Sequence, residues 1–527
     1  MTEAEVIEKQ KLHIESLEQI IRRLSSELNW ANEKYKAQEL RHYGRKSEKY
    51  SKEDDIQGRL FDEAEANESE KPEPVVEKVA VPAHERSKRG RKPKPTDLPV
   101  REVLHELDAT ERACPCCGKE RPCIGEERTE EFDLVPAHVE KIVHVMKSYG
   151  PCDCESFAKA AEASAEAQVI RAPGPAKLVK GSDFTNQTIA FFLTAKYVDA
   201  LPFYRLSRML ERSGLIVSRA GLSNLAMAAG REIGDLVEAM NRDIVTSPVM
   251  LMDETTVQVL REGEGPPGKS YMWCAQGYWQ GRPIKRFAYH PSRSGSFADA
   301  LLGDFRGFLQ TDGYSGYNHL DGKPGIVHVG CLAHVRRKFV EAWEVAGKQG
   351  AAKEAVDLIA KIYRNESELR AALSKGTMDE RSFTTTRAES MKPLFARLRA
   401  WVMARGLDTA PQSKLGKAVS YAQAVFDRCV RFVEHPWLTP DTNAVENAIR
   451  PFVVGRKNWL FSGSPRGAHA SAGLYSLIET AKANDHEPYV YLCYLFDELP
   501  KCATAEEREA LLPYKLSPSA YAGAREN

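Results

Sequence analysis

The stretch VMLMDETTVQVL, residues 249–260, is apolar and β-branched where the preceding sequence is helical in period, and it sets Asp253 on a strand. Two more strand-like runs follow, SYMWCAQGYW at 270–279 and IKRFAYH at 284–290, and then a Gly/Ser-rich turn. GFLQTDGY at 307–314 is a further short strand ending at Asp312. PGIVHVGCLAHVRRKF at 324–339 reads as strand, turn and basic helix. Consecutive strands followed by strand–helix alternation predict an α/β class, a mixed sheet with helices on its faces.

Downstream, residues 339–437 are helical and charged, and TPDTNAVENAIRPFVVGRKNWLFSG begins at 439. Thr442 or Asn443 caps a helix carrying Glu446, Asn447 and Arg450, with Arg456, Lys457 and Trp459 beyond. Two acids on strands and one on a helix form an arrangement that phosphodiester chemistry uses. Carboxylates are hard ligands for Mg²⁺, and two ions about 4 Å apart serve both the attacking and the leaving oxygen. Taken alone, each acid is more often a cap or an ion-pair partner. The inference rests on the three together.

Upstream, residues 183–245 have helical spacing. Tyr204 to Leu210 reads as a helix, Ser213-Gly214 as a turn, and Ser218 opens a second helix. This is a helix-turn-helix for DNA or simple helical packing, the commoner case. Six of the eleven cysteines cluster between Cys114 and Cys154. Cys114 and Cys117 form a C-x-x-C knuckle, and Cys152 with Cys154 completes four thiolates, the count of a structural Zn²⁺ site. The second pair is C-x-C, so Cys116 and Cys123 stand as substitute ligands, and reduced unligated thiols are the alternative. Cys331 and His334 have zinc-like spacing but no second pair, and both read as structural.

The chain is electrically neutral, with 74 basic and 74 acidic residues, yet the charges are segregated. Glu53 to Glu77 holds ten acids against two bases, and Arg86 to Arg101 seven bases against one acid. A basic stripe meets phosphates. Within it Arg89-Gly90-Arg91-Lys92 suits a narrow minor groove, though a solvated linker explains the run equally well. Residues 51–100 lack the apolar periodicity to offset ordering entropy and read as a disordered linker. Before them Ile7, Ile14, Ile21, Leu28 and Tyr35 repeat every seven residues over 1–50. A coiled coil with a second copy or another protein fits this seam, and one helix packed on the chain's own body is the alternative.

With 527 residues, 42% hydrophobic and 28% charged, the chain predicts a globular protein of several domains. No apolar run reaches about 18 residues, and MTEAEVIEKQ is no secretory signal. A cytoplasmic protein without a membrane partner is expected.

Asp253 in MDETTVQVL, Asp312 in LQTDGYSGY, GCLAHVRRKF and NAVENAIRPFVVGRKNWLFSG together resemble the insertion-sequence sixty-six family of bacterial DDE transposases. The order of parts, through SLIETAKANDHEPYVYLCYLF at 476–496, is similar over nearly the whole chain. The resemblance implies a ribonuclease-H-like catalytic core at 246–480 with a helical insertion at about 339–437. It implies a coiled coil at 1–50, the linker at 51–100, a zinc region at 101–160, a helical segment at 170–245 and a C-terminal piece at 481–527. Asp253, Asp312 and Glu446 then hold Mg²⁺ or Mn²⁺. Arg89, Arg91, Lys92, Arg336, Arg337, Arg450, Arg456 and Lys457 are the DNA-contact candidates, with Lys338 beside them; for the cations of the core, a solvated face or internal ion pairs are the alternative. A core role outweighs base stacking for Trp459 and Phe461. The implied partners are double-stranded DNA (terminal inverted repeats and target), further copies of the chain, and accessory proteins encoded by the same element. A catalytically inactive DNA-binding relic is the competing reading.

Overall fold

The 249–260 stretch becomes the middle of a five-stranded sheet in the computed structural model, which describes residues 139–149, 170–260, 269–348 and 350–525. The strands are β1 Val249–Gln258, β2 Lys269–Trp279, β3 Arg282–His290, β4 Gly307–Gln310 and β5 Ile326–Val329. Their spatial order is β3-β2-β1-β4-β5. β1 pairs antiparallel with β2, which pairs antiparallel with β3, while β1, β4 and β5 run parallel. Val249 to Met252 are buried, as a strand flanked by others on both edges requires. Gln280 and Gly281, both at positive φ, make the two-residue turn between β2 and β3, the geometry that matches strand twist.

Helices outnumber strands, and the whole is a mixed α/β structure. Before the sheet come α1 Asn186–Tyr197, α2 Phe203–Arg212, α3 Arg219–Glu232 and α4 Gly234–Ile244; α5 Gly295–Leu302 joins β3 to β4. α6 Leu332–Val345 follows β5, and α7 Ala352–Ser374, α8 Glu380–Asp408 and α9 Lys414–Val430 occupy the stretch expected to be a helical insertion. α10 Asn443–Trp459, α11 Pro465–Ala483 and α12 Pro488–Glu498 complete the main elements. The expected insertion boundary at 339 falls inside α6, because Val335, Phe339, Ala342 and Val345 continue one buried face.

The helical segment and the C-terminal piece share one hydrophobic core with the sheet, running from Leu178 to Tyr521. Asn186 of α1 donates to the Phe496 carbonyl of α12 at 2.9 Å, and α11 spans the boundary expected at 480. α11 also covers the edge strand β3. Ser476 Oγ accepts from the Phe287 N–H at 2.8 Å and Thr480 Oγ1 from the Lys285 N–H at 2.9 Å. These hydroxyls satisfy backbone donors that would otherwise offer an edge to another strand.

The helix–turn–helix reading matches α2 and α3 in outline: Gly214 turns at positive φ, and Ser218 caps α3 by accepting from the Gly221 N–H. Leu222, Ala226 and Ala229 of α3 are buried, and a Cβ on Gly230 would stand 2.7 Å from that of Ala470 on α11. This face of α3 therefore packs on the protein. Among the described residues no helix is long and apolar enough to cross a membrane. The seven-residue period at 1–50, the linker with Arg89, Arg91 and Lys92, and Cys114, Cys117, Cys152 and Cys154 lie outside the described residues.

Candidate active site

The parallel pairing of β1 with β4 and the start of α10 bring the three acids together. Asp253 lies on β1 opposite Cys274 of β2, half-buried, and its Oδ1 accepts from the Glu254 N–H at 2.8 Å. Asp312 stands two residues beyond the last residue of β4. There the Thr311 N–H still donates to the Val329 carbonyl at 3.1 Å, and Asp312 Oδ1 accepts from the Tyr314 N–H at 2.9 Å. A short polar side chain bonding the backbone two residues on is how Asp fixes a loop. Glu446 occupies the first turn of α10, where the helix dipole favours an anion, and its Oε1 accepts from Thr442 Oγ1 at 2.8 Å. Of the two expected candidates, Thr442 is the N-cap, but its hydroxyl serves Glu446 rather than an orphan N–H.

The three acids are near enough for their charges to act on one another. Burial, then the charges of Glu254, Glu446 and Asp312, hold the Asp253 carboxyl well above the usual carboxylate range. Glu254, next along the strand, has a separate task. It is 9% exposed, paired with Arg293, and accepts from the Tyr317 hydroxyl. Those partners commit Glu254 to the scaffold and leave Asp253 as the acid facing Asp312 and Glu446.

Two supports of the site were missed in the sequence. Gly313 follows Asp312 because a Cβ there would lie 2.1 Å from the Tyr421 hydroxyl of α9. The segment before Glu446 is held from several sides. Gln310 Nε2 donates to the Thr439 carbonyl at 2.8 Å, the Leu332 N–H donates to the Pro440 carbonyl at 2.8 Å, and the Thr442 N–H meets Cys331 Sγ at 3.4 Å. Cys331 Sγ thus helps to hold this segment. His334, expected to be structural, sets its Nδ1 3.9 Å from Glu446 Oε1. Burial lowers the His334 pKa, the charge of Glu446 and then that of Asp312 opposing it while Arg337 and Lys338 add to it. Cys331, His334 and Glu446 place one ligand atom each within 4.8 Å of one another. The signal for His334 was the C-x-x-H spacing, set aside for want of a second pair.

The DNA-contact candidates divide. Arg337, Lys338 and Lys457 are exposed, and Arg450 is half-buried. Arg456 is half-buried and donates to the hydroxyls of Thr255 at 3.2 Å and Thr256 at 3.0 Å, tying α10 to β1. Arg336 corrects the expectation: it is 5% exposed, because its place on α6 falls on the face that packs inward. Trp459 packs edge-on against Phe452, whereas Phe461 is 41% exposed.

Known family models match this sequence over most of its length. The model of the Transposase IS66 family matches residues 181–470, and that of the IS66 C-terminal element matches 476–514. The zinc-finger binding domain of transposase IS66 matches 111–155, and the domain described as Transposase C of IS166 homeodomain matches 30–103. The chain belongs to the IS66 transposase family. Among its relatives is the uncharacterized protein y4qI of Sinorhizobium fredii, 28% identical over 87% of this chain and 83% of its own length. Another, y4jD of the same organism, is 29% identical over 80% of this chain and 81% of its own length.

Proposed function

We propose that this chain is an active DDE transposase with a ribonuclease-H-like core, cutting DNA at the ends of an insertion element and joining those ends to target DNA. The observation that carries the reading is that β1, the end of β4 and the start of α10 set Asp253, Asp312 and Glu446 close enough for the latter two to act on the Asp253 carboxyl, which burial raises first and the charges of Glu254, Glu446 and Asp312 raise further. The sheet order β3-β2-β1-β4-β5, with three antiparallel strands followed by two parallel ones, supports the fold assignment.

The residues fit a divalent metal centre. Crowded carboxylates gain from a cation, and a buried His334 Nδ1 without a hydrogen-bond partner stands beside them. Asp253, Asp312 and Glu446 would hold Mg²⁺ or Mn²⁺. Bound there, the ions supply charge neutralisation and a more acidic water for phosphodiester attack. The chain's own part is positioning. The Glu254 N–H, the Tyr314 N–H and the Thr442 hydroxyl each fix one carboxylate oxygen. Water attacks the phosphorus at the element end and the bond to the 3′ oxygen breaks, that oxygen leaving as a hydroxyl; the freed 3′-hydroxyl then attacks a target phosphodiester, whose own bond to its 3′ oxygen breaks as that oxygen leaves with the proton. Arg337, Lys338 and Lys457, exposed on α6 and α10, are the cations we assign to DNA phosphates. Zn²⁺ at Cys114, Cys117, Cys152 and Cys154, and a minor-groove role for Arg89, Arg91 and Lys92, complete the reading. So do self-association through 1–50 and the accessory partners.

Purified full-length protein, DNA carrying the terminal inverted repeats, and Mg²⁺ should give nicks at the element end that disappear in Asp253→Ala. Binding without cleavage in either Mg²⁺ or Mn²⁺ would instead make the chain a DNA-binding relic.

A further inference from the structure

His334 occupies the first turn of α6, and α6 begins directly after the turn that follows β5. Its Nδ1 is buried and has no hydrogen-bond partner. It lies 3.9 Å from Glu446 Oε1, beyond hydrogen-bonding range. A buried polar atom left unmatched is costly, so the local structure must compensate for it or hold it ready for something else. The separation suits a shared ligand role: two donors each about 2.1 Å from one ion stand about 3–4 Å apart. The rest of the two side chains is partly exposed, 22% for His334 and 28% for Glu446, so the pair lies at the edge of the core rather than deep inside it.

Cys331 is near enough to compete, but its Sγ already accepts from the Thr442 backbone at 3.4 Å and lies 3.3 Å from the Thr442 hydroxyl. That sulfur holds the N-cap of α10 in place. The imidazole nitrogen is the donor left over.

We propose that His334 Nδ1 is a further ligand of the divalent ion held by Glu446, giving that ion a mixed carboxylate–imidazole environment. The inference rests on the proposed metal site of the three acids. A nitrogen ligand favours Mn²⁺ over Mg²⁺ at this position, since affinity for nitrogen donors is greater for transition metals. Removing it lowers Mn²⁺ affinity by roughly tenfold while the carboxylates still bind.

Pulsed EPR of the full-length chain loaded with Mn²⁺ tests this. Nitrogen hyperfine coupling is expected in the unmutated protein, altered when the histidines carry nitrogen-15 and lost in His334→Gln and His334→Asn. Bound Mn²⁺ without nitrogen coupling overturns the inference and leaves the carboxylate site standing. So does coupling that labelling does not alter, which needs no variant to fold. Coupling that persists in folded His334 variants also overturns the inference. If the chain binds no Mn²⁺ at all, both the inference and the metal site fail.

Discussion

Asp253 shows what a single residue contributes in stability and in chemistry. Its folded-state pKa is raised by burial first and by its acidic neighbours second. Between the ordinary carboxylate value and that raised value, the folded chain binds more protons than the unfolded one. The ion-free protein therefore loses stability as pH rises through this window, and divalent metal restores it. Asp253→Asn removes the charge without removing the shape. In metal-free buffer near pH 7 it should raise Tm by roughly 2–4 °C and abolish the stabilisation by Mg²⁺, as followed by thermal denaturation. A lower Tm for this variant would mean that its carboxylate is compensated within the protein. Sequence placed Asp253, Asp312 and Glu446 because each sits in a local pattern, strand or helix start, that one segment reveals. It did not show Glu254 taken up by Arg293 and Tyr317, nor Arg336 turned inward. Those outcomes depend on Arg293, Tyr317 and the packing of α6, all distant or undetermined in the linear chain.

Among the elements, the helical insertion supports the last acid. Arg387 of α8 is fully buried, pairs with Glu366 of α7, and donates to the carbonyls of Val433, His435 and Leu438. Arg370 of α7 donates to the Leu438 carbonyl as well. The segment so held leads directly into Thr442 and Glu446. Arg387→Met removes these donors and leaves Glu366 with Arg370 as its remaining cation. It should cost about 3 kcal/mol in denaturant unfolding and reduce Mg²⁺-dependent cleavage. Adding Glu366→Leu should recover part of the stability, since the buried charge is then gone. A single variant as stable as the unmutated chain would show that the clamp is dispensable. The insertion was legible as a long helical stretch. Its function as a clamp was not, because charged residues at helical spacing read as a solvated face until their burial is known.

At the scale of the whole molecule, the helices before the sheet, the sheet and the C-terminal helices form one core, and α11 seals the edge of β3. Sequence divided these segments because the period changes near Val249, whereas burial joins them. The core thus packs behind β1, the end of β4 and the start of α10, which carry the acids or lead to them, while Arg337, Lys338 and Lys457 remain exposed. Our central claim is that the three acids together hold catalytic divalent ions. The most direct measurement is a crystal structure of the full chain with element-end DNA and Mn²⁺, with anomalous scattering recorded at the manganese edge. The account predicts anomalous density enclosed by Asp253, Asp312 and Glu446. DNA bound with that space empty, or manganese found only elsewhere, would contradict it.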